Sequence, residues 1–182
     1  MTLGLDVYIK TGPVGLVVTR ADMKNYLNID SDLWDLLIDR LIGSATTRLE
    51  RYTGCSFQQK TLVATFMSVA DNVEIPYGPV QTITHVKAID ENGTKTTLTE
   101  GSDYVIYGNN FKTIKFFESG QSIEIEYVAG YSTLPSDLSL AVMKQVGMDF
   151  EYRENTAGKT TVTELSNGAK QFANSYRRIL MF

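Results

Sequence analysis

The order of apolar and polar positions divides the chain into helical, then strand-like, then helical segments. Residues 1–17 hold no steady period. Gly4, Gly12, Pro13 and Gly15 break their apolar pieces, which reads as an irregular arm with room for one strand. Thr19 and Asp22 have the spacing of an N-cap and its capping-box acid, so a short helix is predicted to about Leu27. Asp30-Ser31-Asp32 supplies the next cap, and a long helix is predicted from Asp32 to Tyr52 with Gly54 as its stop. At about 100° per residue, Leu33, Trp34, Leu37, Ile38, Leu41, Ile42, Ala45 and Leu49 share one arc, opposite Asp35, Asp39, Thr46 and Glu50. This arc covers about half the circumference, wider than the ~100° stripe of a helix with one buried face. The helix is therefore expected to pack on two sides, its own core and another surface. Arg48 falls inside the arc. It reads equally well as a snorkelling side chain and as half of an inter-subunit ion pair.

From Thr61 to Tyr131 the period becomes two. Residues 61–67, 73–75, 82–89, 96–98, 104–107, 113–117 and 122–128 are rich in β-branched and aromatic residues and read as strands. Asn92-Gly93 is a strong signal for a two-residue hairpin, since both residues tolerate positive φ. Gly108-Asn109-Asn110 and Ser119-Gly120 mark further turns. Pro135 opens a third helix, from about Ser136 to Arg153, at a position that favours proline. That helix is apolar nearly all round, which predicts burial on most sides, partly by a neighbouring subunit. Residues 155–164 read as a linker. Ala169, Phe172, Ala173, Tyr176, Ile179 and Leu180 follow i, i+3, i+4, i+7 spacing, so a fourth helix is predicted over Ser166–Phe182. Its basic side is Lys170, Arg177 and Arg178. Such a segment can fold back, bind a partner or lie on a membrane. Three basic residues and a short apolar face anchor a membrane poorly, and an apolar end beyond a linker favours the partner. The fold class expected is α+β: a small helical bundle with an inserted antiparallel β region at about 61–131 and a C-terminal extension.

Composition narrows the chemistry. The 182 residues include one Cys and one His, which excludes an intramolecular disulfide and a Cys/His zinc cluster. Cys55, after Gly54, reads as a small structural thiol. A nucleophile–histidine site would have to use His85, and no G-x-S-x-G frames a nucleophile for it. Asp30, Asp32, Asp35 and Asp39 lack the Gly-containing loop and closing Glu of a calcium site, and read as cap and solvated face. No catalytic, cofactor or metal residue is predicted. Lys plus Arg total 17 against 21 Asp plus Glu, a net charge of −4. A strongly basic, phosphate-gripping surface is therefore not expected. The opening residues carry no basic region before an apolar run, so no export signal or membrane span is expected.

Several ordered stretches resemble one family. They are residues 18–30 with their Arg20-Ala21-Asp22 helix start, Arg48-Leu49-Glu50-Arg51-Tyr52-Thr53-Gly54, the hairpin through Asp90-Glu91-Asn92-Gly93, Asp103-Tyr104, Tyr127-Val128-Ala129-Gly130-Tyr131 with Leu134-Pro135-Ser136-Asp137-Leu138, and Tyr152-Arg153-Glu154. Together they resemble the head–tail connector, or head-completion and adaptor, proteins of long-tailed bacteriophages. The resemblance covers residues 18–154, leaving the arm 1–17 and the tail 155–182 as extensions. It implies a non-enzymatic structural protein of the virion neck, assembled in the host cytoplasm as a homo-oligomeric ring of about twelve subunits through heterologous contacts. The ring would sit under the portal protein, meet the tail or a stopper or terminator protein, and extend a channel through which DNA slides without sequence-specific binding. On this reading Trp34, Ile38 and Arg48 are expected at the subunit interface. Phe172, Tyr176, Arg177, Arg178, Ile179, Leu180 and Phe182 are expected to dock the portal. The alternatives are another ring-forming neck or tail-completion protein, such as a tail terminator, and a small hydrolase using His85.

Overall fold

The structure, a computed structural model, describes residues 4–69, 72–152 and 165–178. They form two compact units. One comprises residues up to Pro13 with Gly54–Ser132, the other Val14–Thr53 with Thr133–Arg178. The fold is α+β, with four helices and eight strands among the described residues.

The sheet unit contains β1 (Leu5–Thr11), β2 (Lys60–Phe66), β3 (Asn72–Glu74), β4 (Val80–Ile89), β5 (Lys95–Thr97), β6 (Tyr104–Tyr107), β7 (Thr113–Phe116) and β8 (Ser122–Ala129). Strands β1-β2-β8-β4-β5 make a five-stranded antiparallel sheet, and β3-β7-β6 a second, three-stranded one. Alternation sends Leu62, Ala64 and Phe66 of β2 and Ile123, Ile125 and Tyr127 of β8 to one face, where they join Val73, Ile114 and Phe116 of the smaller sheet in one apolar core. Tyr127 is fully buried, and its hydroxyl donates to the Pro76 carbonyl at 2.8 Å. That bond satisfies the one polar atom its side chain takes into the core. The same burial raises its pKa.

The strand positions expected from the two-residue period agree closely with those observed. The first strand of the arm is an integral sheet member, paired along its length with β2. The Asn92-Gly93 turn differs from expectation. Gly93 has positive φ but Asn92 does not. Gly93 N–H donates to the Asp90 carbonyl at 3.0 Å, and Asp90 N–H donates to the Thr94 carbonyl at 3.1 Å. A three-residue loop with glycine in the left-handed position therefore replaces the two-residue turn. The Asp90 carboxylate selects it by accepting the Asn92 and Thr94 N–H groups at 2.9 and 2.7 Å.

The helical unit contains α1 (Arg20–Leu27), a 3₁₀ turn (Asp32–Trp34), α2 (Asp35–Thr53), α3 (Ser136–Glu151) and α4 (Asn167–Ala173), followed by a second 3₁₀ turn (Asn174–Tyr176). Thr19 caps α1 by accepting the Asp22 N–H at 3.1 Å. Gly54, at φ 71°, stands just past α2 where a left-handed residue ends a helix. Ile38, Ile42, Ala45, Leu49 and Thr53 form the fully buried stripe of α2, spaced four, three, four and four. The predicted arc loses Leu33, which is 88 % exposed. The tighter 3₁₀ turn that carries Leu33 breaks the 100° register before α2 begins. Pro135 stands at the N-cap of α3, one position before the first turn.

Asp35 and Asp39 are not merely solvated. Arg20 of α1 binds Asp35 at 2.9 Å and both oxygens of Asp39, and Lys24 reaches Asp32 at 2.7 Å and Asp35 at 3.0 Å. Arg20 holds the Asp39 carboxyl below its ordinary range, and Lys24 does the same for Asp32.

Candidate interaction surfaces

The two residues of α2 expected to meet a neighbouring subunit through their charge or bulk are engaged within the chain. Arg48 reaches across to Asp149 of α3 and pairs with its Oδ2. Asp149 Oδ1 accepts from Gln145 Nε2 at 2.9 Å, and Gln145 Oε1 accepts the Ser166 N–H at 2.8 Å. This relay runs from α2 through α3 to the start of α4. Gln145 is fully buried, and both of its amide atoms have partners. The ion pair of Arg48 is thus intrachain, a third outcome beside snorkelling and an inter-subunit pair. Ile38 is fully buried in its own core and has no surface left for a neighbour. Trp34 is half-buried and lies edge-on to Phe150 of α3, with ring centroids 5.7 Å apart.

The C-terminal segment folds back as far as Arg178. Ser166 caps α4 through the Ala169 N–H at 3.0 Å, and Ala169 and Ala173 are fully buried in the packing of α4 on α3 and α2. The helix ends at Ala173 rather than continuing to Phe182. Lys144 of α3 stands over the Phe172 ring. Tyr52 of α2 donates its hydroxyl to Asn174 at 2.5 Å, Arg177 lies over the Tyr52 ring, and Arg178 N–H donates to the Thr53 carbonyl at 2.7 Å. Phe172, Tyr176 and Arg178 are half-buried there and Arg177 is exposed. Ile179, Leu180 and Phe182 lie outside the described residues, as do the linker and Glu154.

The large apolar side chains that the helical unit exposes include Val14, 95 % accessible, Tyr152, 52 % accessible, and the pair Leu33 and Leu36, 88 % and 73 % accessible, three positions apart across the 3₁₀ turn and the start of α2. Neither leucine was singled out for a contact by the sequence, because Leu33 was one of many residues in a wide arc and Leu36 fell outside it. In the sheet unit Tyr8 and Ile9 of β1 are more than half exposed, as are Met67, Tyr107 and Phe117.

His85 lies on β4 in register with Glu126 of β8. Its Nε2 is 3.7 Å from Glu126 and 3.9 Å from Glu124. Both carboxylates are already held, Glu126 by Lys10 of β1 at 2.7 Å and Glu124 by Lys95 of β5 at 2.5 Å. Lys10 pulls the Glu126 carboxyl below its ordinary range. The result is a charge ladder across β1, β8, β4 and β5, in which the ring faces carboxylates rather than a hydroxyl or thiol that it could activate. Cys55 is fully buried.

A family model described as head completion protein matches residues 16–182. No curated protein matches the sequence. The fold is similar to a chain in the neck of an empty gene transfer agent (GTA) particle computed with C6 symmetry, with 17 % identity, 97 % of each chain covered and a TM-score of 0.76. A chain in the virion of a native gene transfer agent particle matches at 18 % identity, 97 % of each chain and TM-score 0.76. One in the neck of a native GTA particle computed with C12 symmetry matches at 18 % identity, 100 % of this chain, 98 % of that one and TM-score 0.74. At these identities the likeness is one of fold.

Proposed function

The chain belongs to the head completion protein family, and from that premise we propose that it is a structural protein of the virion neck that assembles as a ring between the portal of the filled head and the tail. The observation that carries this reading is the reach of the family match, residues 16–182, which takes in both the helical unit and most of the sheet unit. The likeness to neck proteins from maps computed with C6 and C12 symmetry supports a ring. A closed ring needs two different surfaces on each subunit, and the chain exposes apolar side chains on both of its units.

In this reading the ring extends the DNA channel, and the net charge of −4 leaves few stationary phosphate contacts to hold passing DNA. The helical unit contacts its neighbours through Leu33 and Leu36, beside the half-buried Trp34. The C-terminal segment meets the portal through Arg177 and the residues that follow it, Ile179, Leu180 and Phe182. Phe172 and Arg178 hold that segment on α3 and α2, with Tyr176 half-buried between them in sequence. The His85 ladder serves cohesion of the sheet rather than hydrolysis.

Removal of the reading frame from a particle-producing strain tests the proposal. The expected product is DNA-packaged heads that leak and carry no tails, restored by supplying the chain. Tailed, infectious particles in its absence would overturn the reading. Purified portal and purified tail tube, offered separately, distinguish a connector from a tail terminator by which of them retains the chain.

A further inference from the structure

The five-stranded sheet has two uncovered edges among the described residues. β1 pairs with β2 alone. At the other side β5 pairs with Lys87–Ile89 of β4 and the Leu98 N–H donates to the Val86 carbonyl at 2.9 Å, so residues 81–85 pair with β8 and, among the described residues, with nothing beyond. An uncovered edge is a row of unpaired backbone donors and acceptors, ready to accept a strand from another chain.

The two edges are complementary in direction. Every neighbouring pair in the sheet is antiparallel, and β1 and β4 are separated by β2 and β8, so β1 and β4 run in opposite senses. Copies related by rotation about an axis lying along the strands keep their strand directions. The β1 of one copy then meets the β4 of the next in the antiparallel sense used throughout the sheet.

The faces also agree. Ile9 stands opposite Leu62, which stands opposite Tyr127, which stands opposite Ile83, so these residues share the core face. Ile9 is nevertheless 55 % exposed, because β1 has no strand on its outer side. Tyr8 is in register with Val63, Glu126 and His85 on the opposite face and is 52 % exposed. On β4, Ile83 packs partly against the core while Thr82 is exposed. The register breaks at Gln81 and Thr84 blunt β4 against indiscriminate pairing, so β1 brings the more regular edge.

We propose that the ring closes by strand addition between copies, β1 of one copy lying along residues 81–85 of β4 of the next. Val7 and Ile9 then continue the apolar face past Ile83, and Tyr8 continues the polar face past Thr82 and His85. The contact is heterologous, as a closed ring requires. This inference rests on the ring reading proposed above.

Cysteine pairs in the full-length chain test it. Tyr8→Cys and Thr82→Cys are introduced together and singly, both at exposed positions, with the buried Cys55 left in place and the wild-type chain as background. Assembled particles are treated with a bis-maleimide crosslinker spanning about two strand spacings, on the order of 10 Å. The double variant is expected to give a ladder of covalent multimers beyond dimer, and each single variant to remain monomeric on a denaturing gel. Dimers from Tyr8→Cys alone would replace the proposal with two-fold β1–β1 pairing. Intact rings seen by electron microscopy without a ladder would overturn it and leave the ring reading standing. Absence of rings in wild-type particles would overturn both. Asp6→Cys with Thr84→Cys, also at exposed positions, replaces the first pair if that pair fails to assemble.

Discussion

The helical unit and the sheet unit use polar residues in opposite ways. In the helical unit, charged and amide side chains join one helix to the next: Arg20 and Lys24 tie α1 to the start of α2, and Arg48, Asp149 and Gln145 tie α2 and α3 to the start of α4. In the sheet unit the charges form a ladder along one face, and the apolar core lies on the other. The short α4 fully buries only Ala169 and Ala173, so a polar relay has more to contribute to its seating. The sheet buries Phe66, Ile123, Ile125 and Tyr127 together in one apolar core.

The largest expected effect is in the sheet. Ile125→Ala, at a fully buried position, is expected to cost about 2–5 kcal/mol in urea unfolding. A cost below about 1 kcal/mol, well under the range for a buried Ile→Ala change, would mean the core is not where the sheet unit holds together. Asp149→Ala should cost less, about 1–3 kcal/mol, by leaving Arg48 and Gln145 without their partner. Its specific sign is faster tryptic cleavage at Lys170 and Arg177, because the relay that holds the start of α4 is cut. Unchanged cleavage would separate the relay from the seating of that segment.

Ser166→Ala removes the cap of α4 and is expected to cost about 1 kcal/mol. Acid should weaken both units slightly. Asp39 in the helical unit and Glu126 in the sheet unit have folded pKa values below their unfolded ones. Their contributions are present above the unfolded pKa and are lost as pH falls through the folded one. Lys10→Met should remove the Glu126 part of this loss and leave the Asp39 part, as read from unfolding midpoints along a pH series. Smallest for stability is Leu33→Ser with Leu36→Ser, expected within about 0.5 kcal/mol of wild type. That pair should nonetheless lower incorporation into particles, and full incorporation would remove Leu33 and Leu36 from the proposed contacts.

The parts of the fold that depend on near neighbours were legible in the sequence. The Thr19 cap, the Gly54 stop and the β-branched strands all follow from residues within a turn or a strand of one another. Pairing order was not legible. Nothing local says that β8 lies between β2 and β4, or that β1 joins the same sheet. Arg48 shows the same limit: its position inside an apolar arc was visible, but its partner is 101 residues away. The amphipathic pattern of residues 166–180 shows that a face is to be covered, not by what. Its apolar spacing suits the chain's own α3 as well as a portal, and Ala169 and Ala173 chose the former. The outward turn of Leu33 was hidden because a 100° period was carried through residues that form a 3₁₀ turn.

The central claim is that this chain is a ring-forming neck component. A cryo-electron microscopy map of the head–tail vertex of particles carrying this chain tests it most directly. The account predicts a closed ring between portal and tail into which the helical and sheet units of each copy fit, with six- or twelvefold symmetry like that used for the similar necks. A vertex without density for the chain, or copies confined to another part of the particle, would contradict it.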